Sequence, residues 1–328
     1  AIQAFVNKFA HKTVETLDLI RTIETTTGRN LRFLFDQYVL RGGHPDFKVA
    51  YRWDADSKLA QVTVTQTQAK AGDRTSQSGL FDLKIPIGFG TVHDGAATVS
   101  PFTIRIHEYE QVLYFPLTNK PDFISFDVGN HFAKTVKLVY PWPELKAQLQ
   151  SDPDPISRVY AAEAIAEKGG LEAATTLAAA LQAEAFWGVR VEIVKQLAHL
   201  KLDQAVESVL KALQDPHAKV RRAAANALGN LKTLTSYQAL SKQLAKGDPS
   251  YYVEAAVARS LGKVGASRLA ELPEAETTLA QLKTVLEERP GWNEIVRAGA
   301  LGGSSQFKRS TQALDILLQY TVPNIPNS

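Results

Sequence analysis

Cysteine and methionine are both absent from the 328-residue chain. Without cysteine there is no disulfide, no thiol nucleophile, no iron–sulfur cluster and no thiolate zinc site. The lack of methionine is unusual at this length, and the first residue is Ala1. Two explanations fit: a chain cut from a longer one, and methionines present in modified form but left unwritten. An excess of one charge is also missing. Lys and Arg total 37 against 34 Asp and Glu, a net +3 spread along the chain, which points to neither nucleic acid nor an anionic membrane. No run approaches the roughly 18 apolar residues of a transmembrane helix. The opening segment, residues 1–9, lacks the charged, apolar and small-residue succession of a signal peptide, so a cytoplasmic location is the expectation. What is present is ordinary globular composition, 45% hydrophobic with 20 Gly and 15 Pro, in a length that suggests about two domains.

The periodicity changes twice along the chain. In residues 1–46, Val14, Leu17, Ile20 and Ile23 recur at helical spacing, Gly28 stops that helix and Asn30 caps the next. Aromatic residues on several sides of the segment from Leu31 to Val39 predict a buried helix. Residues 47–143 alternate with a period of two. Val49, Tyr51 and Trp53, a turn at 54–57, then Val62 and Val64 form a hairpin pattern. Further strand-like runs lie at 80–87, 102–107, 111–117, 123–128 and 135–140, with a turn cluster at 72–79. Six or seven short strands without a helix between them predict an antiparallel β-sandwich.

Residues 144–328 read as helical and repetitive. Ile165, Leu197, Leu228, Leu261 and Leu301 occupy equivalent positions, separated by 32, 31, 33 and 40 residues. Asp154-Pro155, Asp215-Pro216 and Asp248-Pro249 precede three of the repeats, where Asp caps and Pro pre-sets the first helical φ. The period predicts a HEAT-like α-solenoid, an α-α superhelix of about five helix pairs. The fold expected is therefore multi-domain: a helical stub, an antiparallel sandwich and a solenoid.

Motifs that carry chemistry are scarce. There is no H-E-x-x-H; His107-Glu108-Tyr109-Glu110-Gln111 lacks the second His and falls in an expected strand, where i and i+4 lie about 13 Å apart. The seven histidines never fall three to five residues apart, so no local zinc clamp exists. No nucleophile elbow, Walker A motif or strand-linked dinucleotide fingerprint occurs. Gly299, Gly302 and Gly303 end a solenoid helix, where glycine serves packing more often than phosphate binding. No catalytic or metal-binding residue is assigned. Lys219, Arg221 and Arg222 form a small basic cluster, read either as a solvated helix face or as a hold for a carboxylate or acidic partner on the concave solenoid face. Tyr251 and Tyr252, with Phe186 and Trp187, stand just before repeat helices and suit inter-repeat packing or a groove wall.

The order of helices, sandwich and solenoid resembles the C-terminal half of the gluzincin (M1) family of zinc aminopeptidases. The junction Phe35-Asp36-Gln37-Tyr38-Val39 followed by Gly43-His44-Pro45-Asp46-Phe47-Lys48-Val49 is similar to the passage from that family's catalytic domain into its sandwich, and Phe123-Ile124-Ser125-Phe126-Asp127 to its late sandwich strand. The repeats also resemble those of phycobilisome-lyase type. The first resemblance implies that the longer protein removes N-terminal residues from peptides with zinc, that its zinc and amine-anchoring motifs lie upstream, and that the solenoid limits access to them. It implies peptide substrates reached through the missing catalytic domain, no cofactor in this stretch and no activity of this stretch alone. A bared catalytic-domain interface would permit homo-oligomers. The alternative is a non-enzymatic scaffold of the same domains binding protein partners, as in an aminopeptidase-like transcription-factor subunit; a HEAT-repeat chaperone or lyase for a pigment ranks behind it.

Overall fold

The computed structural model describes residues 1–70, 79–267, 275–289 and 292–321. The turn cluster expected at 72–79 falls outside the described residues except for Gly79. The chain divides into two compact units. Residues 1–87, 101–120 and 126–139 form the first, and residues 88–100, 121–125 and 140–328 the second.

The first unit opens with helices α1 (Ile2–Phe9), α2 (Thr16–Thr27) and α3 (Arg32–Phe35), the last running into a π-helical turn at Asp36–Leu40. Gly28 ends α2 at φ 67°, donating its N–H to the Glu24 carbonyl, as a C-cap without a Cβ does readily. Asn30 Oδ1 accepts the N–H of Arg32 at 2.9 Å. The expected burial of the aromatic segment does not hold, because Phe33, Val39 and Leu40 are exposed. Only one of its faces meets the strands. Buried Gln37 accepts the Asp82 N–H at 2.6 Å, and the Tyr38 ring and Arg41 guanidinium both lie on Phe81.

Seven strands follow among the described residues: β1 (Asp46–Asp54), β2 (Leu59–Gln66), β3 (Leu83–His93), β4 (Ala96–Ile106), β5 (Glu110–Pro116), β6 (Phe123–Phe126) and β7 (Thr135–Val139). They form two sheets, β5-β2-β1-β7 and β4-β3-β6. The expected hairpin is present, with Val49 opposite Val64 and Tyr51 opposite Val62. Its turn is fixed by Asp54, whose Oδ1 accepts the N–H groups of Asp56 and Ser57. One pair departs from the antiparallel rule, since β7 runs parallel to β1. The alternating apolar residues of β1 and β2 are buried, and the Phe47 ring of β1 meets the Phe126 ring of β6 edge-on at 5.2 Å. Ahead of β7, buried Lys134 donates to Asp127 Oδ2 at 2.6 Å and to Asn130 Oδ1 at 2.7 Å, pinning that loop to the end of β6. The His107–Gln111 segment is a strand only in part: residues 107–109 make the turn between β4 and β5, and Glu110 and Gln111 open β5.

The second unit carries eleven helices among its described residues. After α4 (Trp142–Ser151) come five pairs: α5 (Pro155–Lys168) with α6 (Gly170–Ala183), α7 (Trp187–Leu200) with α8 (Asp203–Ala212), α9 (Ala218–Leu231) with α10 (Leu234–Lys246), α11 (Tyr251–Gly265) with α12 (Ala275–Glu288), and α13 (Ile295–Ser304) with α14 (Thr311–Thr321). The odd-numbered helices α5 to α13 stack in sequence as one row, each packed on its even-numbered partner. This is a HEAT-like solenoid. Alanine on the stacked faces, such as Ala161, Ala162, Ala224, Ala225, Ala255 and Ala256, is buried and lets neighbours approach closely. At α11 and α13 the approach becomes backbone on backbone. A Cβ at Gly262 would lie 2.3 Å from the Gly303 carbonyl oxygen, and one at Gly299 would lie 2.4 Å from Ala255 Cα. These glycines serve packing.

A ladder of ion pairs runs through the repeats. Arg158, Arg190 and Arg221 occupy equivalent positions on α5, α7 and α9, and each forks onto an acid that precedes the next odd-numbered helix. Arg158 binds both Oε atoms of Glu184 at 2.8 and 3.0 Å, Arg190 both Oδ atoms of Asp215 at 2.9 and 3.1 Å, and Arg221 both Oδ atoms of Asp248 at 2.7 and 2.8 Å. The remaining nitrogen of each donates to carbonyls of the acid-bearing turn before its own helix, as Arg221 does to Asp215 and Pro216. Each acid also accepts an N–H two residues on, at Phe186, His217 and Ser250. Bidentate, charge-assisted pairing of this kind fixes the rotation between neighbouring repeats. Only Asp154 of the three Asp-Pro aspartates caps its helix directly, by accepting the Ile156 N–H. Asp215 and Asp248 stand two residues before the N-caps His217 and Ser250, accept their N–H groups, and carry the ladder pairs.

Asp152 is the ladder acid of the first repeat, and no arginine rung precedes it. It accepts the Asp154 N–H at 2.9 Å, yet its Oδ2 is buried without a partner. Burial pushes its pKa up to about 6, opposed by the bond from the Asp154 N–H. The fourth rung is reversed: Glu254 stands on α11 where the other helices carry arginine, and Arg289 donates to it at 3.1 Å.

Candidate functional site

The residues singled out by charge and aromaticity separate according to helix face. Consecutive helical positions point about 100° apart, so Arg221 turns into the ladder while Arg222 turns away from it. The Arg221 side chain is 15% exposed and its partner Asp248 4%. The Asp248 bond holds the Arg221 pKa above its already high value. Arg221 is thereby occupied in joining repeats. Lys219 and Arg222 are exposed and enter no ion pair among the described residues.

Both line a groove of about 660 Å³ between α7 and α9. Trp187, at the first position of α7, supplies one wall; its indole stacks on the His217 ring at 4.9 Å with 4° between the planes. The Lys219 ammonium sits 4.0 Å from the centre of the same indole. Arg222 lies 5.8 Å from the ring of Tyr252, which is half exposed, as is Tyr251. Val191, Ala198, Ala223, Ala227 and Leu231 make up the apolar part of the lining, which also includes Asn226 and Asn230. Lys195, His199 and Lys201 complete the lining, and among the described residues no Asp or Glu belongs to it. Lys263 of α11 donates to Asn230 and adds a further cation beside the rim. On the α5 side the same row of helices turns acidic. Burial, with Glu192 and Glu167 adding to it and Lys195 opposing, pushes Glu163 up to about 7. Lys195 itself pairs with Glu192 at 2.8 Å and marks the boundary.

The structure thus brings Lys219 and Arg222 to one groove, sets Tyr252 beside Arg222, leaves Arg221 in the ladder and places neither Tyr251 nor Tyr252 in the groove lining. The sequence singled out Trp187 for its aromaticity without connecting it to Lys219. His217, Lys195, Asn226 and Asn230 gave no signal singly. Aligning the repeats on the ladder arginines would have found them, because it places Val191 level with Arg222 and Lys195 level with Asn226.

A second groove, of about 690 Å³, lies in the first unit beside Gln37, Asp82 and Arg105. There Arg105 already forks onto Asp82 at 2.6 and 2.8 Å, and this bond holds the Asp82 carboxyl below its ordinary range. Zinc is the cofactor that the resemblance implies for a longer protein. Among the described residues no three His, Cys, Asp or Glu side chains come together as a set of metal donors. The side chains here therefore do not fit a zinc ion, and none is assigned as a ligand. No described helix is long and apolar enough to cross a membrane.

Comparison with known proteins places the solenoid in a recognised class. The HEAT-repeat family model matches residues 174–262 and 206–301, spans that include α7 to α11 and hence the groove and the rungs from Arg190 and Arg221, but not Arg158. Among solved structures, aminopeptidase A of Legionella pneumophila, in complex with aspartic acid, is similar over 97% of this chain at 18% identity and a TM-score of 0.52. A likeness at that identity is one of fold. The chain spans 38% of that protein's length. The complex of CpcE and CpcF of the phycocyanin lyase from Nostoc sp. PCC7120 matches 53% of this chain and 68% of its own at 25% identity, with a TM-score of 0.40. No curated protein matches the chain.

Proposed function

We propose that this chain is the non-catalytic sandwich and solenoid portion of a longer zinc-dependent aminopeptidase of the gluzincin type, in which the solenoid limits access of peptides to a catalytic domain. The observation that carries this reading is the extent of the fold likeness to the Legionella aminopeptidase, which includes helices, sandwich and solenoid together over 97% of this chain. A HEAT solenoid alone occurs in many settings; a helical entry, a sandwich and a solenoid in one order is a narrower combination. The junction from Phe35 to Val49 supports it, because the π-helical turn at Asp36–Leu40 leads through Gly42 and Gly43, both at positive φ, into β1. In this reading zinc supplies polarisation of the scissile carbonyl and activation of water, and all of its ligands lie in the catalytic domain. The residues of this chain shape the surroundings only.

The test is hydrolysis of aminoacyl-p-nitroanilides by the complete gene product, with and without 1,10-phenanthroline, beside the 328-residue chain. Chelator-sensitive hydrolysis by the complete product and none by the shorter chain supports the proposal. Hydrolysis by the shorter chain alone overturns it. An inert complete product overturns it as well and favours the scaffold reading.

A further inference from the structure

We propose that the α7–α9 groove is a docking site for a short acidic stretch of a peptide. The inference stands on the groove's own chemistry and does not depend on the aminopeptidase reading. Its first support is the way its cations are held. The ladder arginines Arg158, Arg190 and Arg221 are fixed by carboxylates, which cancel their charge. Lys219 and Arg222 are instead positioned by the faces of Trp187 and Tyr252. An aromatic quadrupole orients a cation and leaves its net charge in place. Two cations are thereby pre-arranged, uncancelled, on the rim of a groove whose lining contains Lys195, Lys201 and His199 and, among the described residues, no carboxylate. Charge complementarity selects an anionic occupant.

The second support is the shape and composition of the lining. A groove of about 660 Å³ holds a few residues, within the range of sites that enclose small ligands and peptide segments. Asn226 offers a donor and an acceptor, and Asn230, whose Oδ1 accepts from Lys263, offers its amide N–H groups, which suits peptide C=O and N–H groups. The apolar part of the lining, with Val191, Ala223 and Leu231, suits the methylenes of glutamate side chains. The third support is the acidic edge. Glu163, Glu167 and Glu192 border the basic zone on the α5 side, where a continuous phosphate backbone would be repelled. A net charge of +3 and a pI near 8.9 also fall short of the strongly basic surfaces that hold nucleic acid. A short acidic peptide segment satisfies the basic zone without extending onto the acidic one.

The experiment is fluorescence anisotropy of a labelled hexaglutamate peptide titrated with the full 328-residue chain, beside hexaglutamine and hexathymidylate. Saturable hexaglutamate binding that weakens with salt is expected, with no binding of hexaglutamine. The double variant K219E/R222E is expected to lose about tenfold or more in affinity, as reversal of two complementary charges does. Lys211→Glu, on α8, is expected to leave binding unchanged. The melting temperature shows whether the double variant is folded; should it not be, K219Q/R222Q removes both charges without introducing new ones and gives the same comparison. Equal hexaglutamate affinity for the variant and the parent chain, or no saturable binding, overturns the proposal. Hexathymidylate binding as tightly as hexaglutamate overturns it in favour of a nucleic-acid site.

Discussion

Arg221 and Arg222 are neighbours in sequence and opposites in task. Arg221 forks onto Asp248, donates its remaining nitrogen to two carbonyls and disappears into the joint between repeats. Arg222 meets an aromatic ring and nothing of opposite charge among the described residues. The difference shows that the partner, more than the cation, decides what a basic residue does in a solenoid. A carboxylate in a half-buried joint cancels the charge and converts it into rigidity. An aromatic face fixes direction and leaves the charge for something else. The same contrast recurs along the row of helices, where Arg158 and Arg190 belong to the ladder and Lys219 to the groove.

Four perturbations sharpen that contrast, in descending order of effect. Gly262→Val attacks the stacking that ladder and groove both presuppose, because its side chain has only the Gly303 backbone to enter. A loss of about 3 kcal/mol or more is expected, read as a reduced urea midpoint. Arg190→Ala removes one rung and leaves the largely buried Asp215 carboxylate without its cation. It should cost about 2–3 kcal/mol, less than a fully buried pair would, in the same measurement.

The third perturbation concerns the ladder acid that has no rung. With a folded pKa of about 6 against an unfolded value near 4, Asp152 keeps a proton in the folded chain that the unfolded chain has released. Stability therefore falls as pH rises through that window and levels off above it. Asp152→Asn keeps an acceptor for the Asp154 N–H, should flatten the profile between pH 4 and 6, and should gain about 1–2 kcal/mol at pH 8. The smallest effect belongs to Glu163, whose pKa of about 7 has the same sign. Glu163→Gln is expected to gain about 1 kcal/mol at pH 8 and nothing at pH 4, since its side chain is partly solvated. Thermal melts across pH check both.

The solenoid was legible in the sequence because a repeat writes the same constraint several times. Ile165, Leu197, Leu228 and Leu261 mark one buried position at nearly constant spacing. The β1–β2 hairpin was equally plain, since alternation and an Asp-rich turn agreed. Burial of Phe33 and Val39 was misjudged, because aromatic content does not say how many faces of a helix find a neighbour. The parallel pairing of β7 with β1 was not legible either, because strand direction depends on the path of the intervening chain and not on alternation. At the groove, the charges were visible and their partners were not. Nothing local distinguishes Arg221 from Arg222; the distinction appears only when Asp248 and Tyr252 are brought in from the next repeat.

The central claim is tested most directly by measuring Arg221→Gln and Arg222→Gln side by side for urea stability, with hexaglutamate affinity recorded on the same samples. The account predicts that Arg221→Gln loses about 2 kcal/mol or more while Arg222→Gln stays within about 0.5 kcal/mol of the parent chain, and that only Arg222→Gln weakens peptide binding while both proteins are folded. Equal losses of stability, or peptide binding indifferent to Arg222, would contradict it.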